Sequence, residues 1–224
     1  MATPDAPNDR PRDAENRADP VESLTLGEVP SEATNLNVEG RRAVGPLQGF
    51  GHMWQKTYWV RMSGTEVTPT ETIKVWKEHF GDFWPGKSRF YAPFTGIAPG
   101  EVALLNLAAP RGMPLSTGVM AIYTDDESFT FMTPEGHMFS GWITFSAHQV
   151  DGTTVAQAQL LIRANDPLYE ICMRMFGFKK DDQFWVPKAN LFVNCRNTLP
   201  SATAENSLKS RLYTDVVRDA LEEY

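Results

Sequence analysis

The feature that most constrains this chain is a run of alternating, β-rich segments joined by tight reversals between residues 118 and 164. STGVMAIYT gives a strand over Val119–Tyr123, reversed at Asp125-Asp126-Glu127. Strands are then expected over Ser128–Thr133, Met138–Val150 and Thr153–Ala164, because apolar and β-branched residues recur there with period two. Asp151-Gly152 separates the last two, and this residue pair suits a two-residue hairpin whose central positions both need positive φ. Segments joined this closely pair antiparallel, since a parallel return needs a crossover of about a dozen residues. The result is an antiparallel meander, with Phe139, Gly141, Ile143 and Phe145 on a common face.

The flanking sequence adds strands and helices. Gln55–Met62 alternates and reads as a strand, Ser88–Pro93 as a short one, and Val102–Ala108 as a longer one. Between the first two, the period changes. Thr68, Pro69 and Glu71 form a helix start with an N-cap, a first-position proline and a capping-box glutamate. Ile73, Trp76, Phe80 and Phe83 then make one apolar stripe. After the meander, Asp166-Pro167 opens a helix that Gly177 closes. A second helical segment is expected from Asp182, interrupted at Pro187, and Ala204–Glu223 has amphipathic spacing through Leu208, Leu212 and Val216. The expected class is α+β, with a curved antiparallel sheet wrapped around the C-terminal helical segment.

Composition divides the chain. Residues 1–40 carry nine acids against three bases, five prolines and no aromatic residue, while residues 41–224 carry 19 acids and 18 bases. The acidic segment has little apolar surface to offset the entropy of ordering, so it is expected to be a disordered arm. Residues 41–198 then form the folded domain, and 199–224 a C-terminal extension that includes the amphipathic helix. A near-neutral domain without a dense basic stripe argues against nucleic acid as a partner. No apolar run approaches the roughly 18 residues of a membrane span, and the N-terminus has no apolar signal region, so a cytoplasmic protein is expected. Cys172 and Cys195 read as free buried thiols. His52, His79, His137 and His148 show no HxH, HxxxH or HExxH spacing, so no metal and no cofactor is expected.

Two sets of residues are candidates for chemistry. In Thr133-Pro134-Glu135-Gly136-His137, proline at a turn's second position and glycine after it explain a reversal without invoking chemistry. His137 then either pins the turn through a backbone carbonyl or, as a group titrating near neutrality, serves as an acid/base with Glu135. No GxSxG elbow accompanies it, and Ser140 lies inside a strand pattern. The second set, Arg61, Tyr123, Trp142 and Arg163, lies within the strands. These residues either belong to the solvated outer face, as Gln157, Gln159 and Arg163 do by shared parity, or line a pocket where an arginine holds a ligand carboxylate.

The order of strand, helix, several antiparallel strands and helix over residues 55–195 resembles the helix-grip fold of the START-like (SRPBCC) superfamily of cyclases, hormone receptors and lipid carriers. GVMAIYTDDESFTFMTPEGHMFSGWITF is similar to an uncharacterised family within it that carries a GxLPGHP-like turn. Met138 replaces that family's usual proline, and Glu135 lengthens the turn. The resemblance implies a pocket between sheet and helix that holds a small apolar or lipid-like ligand. The alternatives are a cyclase- or lyase-type enzyme using His137 or Glu135, and an interaction protein acting through its acidic arm.

Overall fold

A computed structural model of the chain describes residues 14–62, 67–84, 87–108 and 114–176. The second helical segment from Asp182 and the extension 199–224 lie outside them. The described strands are β1 (Ala43–Val44), β2 (Phe50–Arg61), β3 (Arg89–Tyr91), β4 (Val102–Ala108), β5 (Pro114–Thr124), β6 (Ser128–Pro134), β7 (Phe139–Val150) and β8 (Thr153–Ala164). The helices are α1 (Pro69–Glu78) and α2 (Pro167–Phe176). All strands belong to one eight-stranded antiparallel sheet in the order β2-β8-β7-β6-β5-β4-β3, with β1 added alongside β6. The first long strand pairs with the last, so the meander from β3 to β8 closes back onto β2. This is the α+β helix-grip arrangement.

Local chemistry explains the joints. Asp151 and Gly152 both take positive φ, 49° and 74°, the backbone twist that matches a two-residue hairpin between β7 and β8. Thr68 caps α1: its Oγ1 accepts from the Glu71 amide at 3.2 Å while Glu71 Oε2 accepts from the Thr68 amide at 2.9 Å. Asp166 Oδ1 accepts from the Tyr169 amide at 2.9 Å and starts α2.

The sheet has two covered faces. On the inner face, Ile73 and Trp76 of α1 and Phe80 of the following 3-10 turn (Phe80–Phe83) pack into Phe90, Phe129, Phe131 and Phe145. Trp76 meets Phe145 edge-on at 4.8 Å, and Phe80 meets Phe90 at 4.7 Å, geometries that aromatic rings favour. On the outer face, Leu24 and Val38 are fully buried against Val102, Leu104 and Met120.

That outer layer corrects the expectation of a disordered arm running to residue 40. Residues 14–40 lie on the sheet, with Ala18 N–H donating to the Ile122 carbonyl at 3.0 Å and Leu24 N–H to the Arg41 carbonyl at 2.7 Å. A few apolar side chains at the right spacing suffice where a sheet offers them a face. Mean composition averages them away. The inner face also differs from expectation, because α1 and the turn after it supply part of its cover.

Candidate functional site

His137 closes the β6–β7 turn. Its amide donates to the Pro134 carbonyl at 3.1 Å, so Pro134 is the first residue of the turn, not the second as its sequence context suggests. Gly136 is third, with the φ of 85° that a type II turn requires there. The His137 ring is buried, and Nδ1 accepts from the Phe139 amide at 3.0 Å. Nδ1 also lies 3.1 Å from the Phe139 carbonyl oxygen, and burial lowers the ring's pKa to about 4, so that it is neutral at pH 7, against a smaller opposing effect of the bond to that carbonyl. Asn165 adds a hydrogen bond from Nδ2 to the His137 carbonyl at 2.6 Å. Each of these contacts holds the turn.

Glu135 points away from that ring toward Arg42, whose Nε donates to Oε1 at 3.0 Å. The Arg42 guanidinium holds the Glu135 carboxyl below the usual carboxylate range, and the Glu135 amide bonds the Arg42 carbonyl at 2.9 Å. This pair ties the turn to the segment leading into β1.

The four strand candidates all lie on the outer face. Arg61 is exposed at the end of β2, its guanidinium 5.9 Å from the centroid of the Trp59 ring. Arg163 donates from Nε to the Gly51 carbonyl at 3.0 Å and so fastens the start of β2 to the end of β8. Arg61 is opposite Val155, eight residues along β8 from Arg163. At about 3.4 Å per residue the two lie roughly 27 Å apart, too far to share one carboxylate. Tyr123 Oη donates to Asp125 Oδ2 at 2.7 Å. Burial would raise the Asp125 pKa, but the Tyr123 hydroxyl together with hydrogen bonds from Glu127 and Ser128 lowers it on balance, which locks the β5–β6 hairpin. Trp142 pairs with Met132, and both pack beneath Gly45.

The inner face holds a polar residue that sequence reasoning missed. Register aligns Lys56, Leu160, Ile143, Phe131 and Ala121 in one row across β2, β8, β7, β6 and β5. The next row runs Trp54, Ile162 and Gly141. Lys56 is only 7% exposed, beside a cluster of Tyr58, Leu160 and Ile162 with Trp54, Phe139 and Ile143 around it. The signal was present in QKTYWVRM, where Lys56 shares parity with Tyr58 and Val60. Gly141 leaves this part of the wall without a side chain, and a Cβ there would meet the Leu161 carbonyl oxygen at 2.1 Å.

Among the described residues no group of three His, Cys, Asp or Glu is placed to hold a metal, and no helix is long and apolar enough to cross a membrane. The family described as the middle or third domain of peptidase M16 matches residues 168–224. In Schizosaccharomyces pombe, mug138, which bears the provisional name of a zinc protease, is 48% identical over 46 residues, 20% of this chain and 5% of that protein. The A-factor-processing enzyme of Saccharomyces cerevisiae is 28% identical over 79 residues, 35% of this chain and 7% of that protein. This chain therefore spans less than a tenth of either relative. A START superfamily protein of Mycobacterium smegmatis aligns in structure with 17% identity and a TM-score of 0.45, covering 64% of this chain and 99% of that one.

Proposed function

We propose that the chain binds a small apolar or lipid-like molecule against the inner face of its sheet. The observation that carries this reading is that the inner face continues as an apolar wall beyond the aromatic cluster under α1. Trp54, Tyr58, Phe139, Ile143, Leu160 and Ile162 form that second half. Small-molecule sites are mostly apolar with few polar groups, and this wall has that composition. The cyclase or lyase alternative loses support, because His137 and Glu135 are engaged in the turn and the arginines face the other side. Native mass spectrometry of the purified chain should show a co-purified small molecule. A chain that is always empty and that raises no fluorescence from 8-anilinonaphthalene-1-sulfonate would sink the proposal.

A second reading concerns residues 168–224 alone, which we propose form a piece of an M16-type middle domain. The match of these residues to the model of the middle or third domain of peptidase M16 favours it. The zinc-binding signatures HExxH and HxxEH do not occur in the 224 residues, so this reading concerns architecture, not proteolysis by this segment. A chain ending at Asp166 tests it: if the sheet unfolds cooperatively and with unchanged stability on its own, the segment is a separate unit.

A further inference from the structure

Among the described residues, Thr117 of β5 is fully buried and its hydroxyl has no hydrogen-bond partner. Thr117 lies opposite Leu105 of β4 and two residues before Val119, both members of the inner cluster. Its chain neighbours face the other way: the Ser116 hydroxyl bonds the Thr34 carbonyl, and a Cβ at Gly118 would meet Val38 of the outer layer. The Thr117 side chain therefore enters the inner face. An unpaired buried hydroxyl is costly, and a valine has the same shape without that cost. The threonine makes physical sense where its hydroxyl gains a partner only when something binds. It also stands near the wall. From the row that joins Ala121, Phe131 and Ile143, Thr117 is four residues along β5 and Phe139 four residues along β7, in the same direction. Two strand spacings, roughly 10 Å, separate them. One step beyond Leu105 and Thr117, Leu107 and Leu115 pair and are only half-buried, so the hydroxyl lies one residue pair inside the rim of the sheet.

We infer that the ligand of the inner face carries an uncharged hydrogen-bonding group, a hydroxyl or a carbonyl, on its apolar body, and that Thr117 selects for it. This rests on the binding proposal. A threonine hydroxyl both donates and accepts, so it serves either group. An ion fits poorly, since one hydroxyl between Leu105 and Val119 cannot replace its water. Displacing Leu107 and Leu115 at the rim uncovers the hydroxyl to the ligand's polar end.

Two measurements on the full chain test this. The first is the urea midpoint of T117V, freed of small molecules. It should rise, because the variant loses an unpaired buried hydroxyl and keeps the shape of the side chain. A midpoint that does not rise, or a variant that fails to fold, would show that the hydroxyl is bonded within the empty chain, and overturns the inference. The second is displacement of the neutral dye Nile red at pH 7 by 2-naphthol and by 2-methylnaphthalene, which differ by a hydroxyl in place of a methyl group. T117V should shift the ratio of their displacing concentrations by about fivefold against 2-naphthol, the size of one hydrogen bond. T117S, which keeps the hydroxyl, should leave that ratio as it is in the unaltered chain. Uptake with an unchanged ratio in T117V overturns the inference alone. If the unaltered chain takes up neither the dye nor either naphthalene, the binding proposal fails and this inference with it.

Discussion

The neutral, buried imidazole of His137 makes the fold sensitive to mild acid. In the unfolded chain the ring titrates near 6.5, whereas in the fold burial holds its pKa at about 4. The unfolded state therefore binds a proton first as pH falls, and folding stability is full above about 6.5 and declines toward 4. At about 1.4 kcal/mol per pH unit, the loss over that window is about 3 kcal/mol. Urea unfolding at pH 7, 5.5 and 4 should show that decline, and His137→Asn should flatten it. An equal slope in the variant would assign the effect elsewhere. Asp125 also has a lowered pKa, but its contribution is lost lower, as pH falls through its own depressed value. The turn itself was legible from Pro134 and Gly136. The histidine's use was not, because only the folded register brings the Phe139 amide to Nδ1.

At the level of elements, strands and caps were readable because their signals are local. The hairpin at Asp151-Gly152, the capping box at Thr68 and Glu71, and the bounds of β4 and β8 each depend on neighbours within a few residues. The role of residues 14–40 depended on a partner eighty residues away, as in the Ser116 hydroxyl's hydrogen bond to the Thr34 carbonyl. Leu24 and Val38 close the outer face over Val102, Leu104 and Met120, so this layer contributes to stability. Leu24→Ala should cost about 3 kcal/mol, the usual loss for a fully buried leucine, and deletion of residues 1–40 should cost more. Denaturant midpoints of both variants check this, and an unchanged midpoint for L24A would show the layer to be dispensable. The same long-range logic hid the faces of the arginines. Parity groups Gln157, Gln159 and Arg163, but which group faces α1 is decided by packing.

At the scale of the whole molecule, residues 168–224 answer to two descriptions. In the first, the expected C-terminal helical segment of the sheet, they open with α2, which rests against β2 and β8. In the second, proposed from their match to the middle or third domain of peptidase M16, they are a piece of another architecture. Glu170 joins the two, because it is buried in α2, where its carboxylate lies 3.6 Å from His52 Nδ1 and fills the space beside Gly51 at the start of β2. Leu168 and Ile171 of α2 are exposed. If the sheet needs this segment, a chain ending at Asp166 uncovers Tyr58, Leu160 and Ile162, each nearly fully buried in the whole chain. Burying three such side chains is worth about 5 kcal/mol, at 1.5–3 kcal/mol each, a large part of the stability of a domain this size. The shortened chain should then lose its cooperative urea transition and bind 8-anilinonaphthalene-1-sulfonate strongly. A sharp transition at the original midpoint would show instead that the sheet stands alone and that residues 168–224 belong to the second architecture. In that case the inner wall would be an open surface, and the ligand proposed for it would have to bind without a helix to close over it.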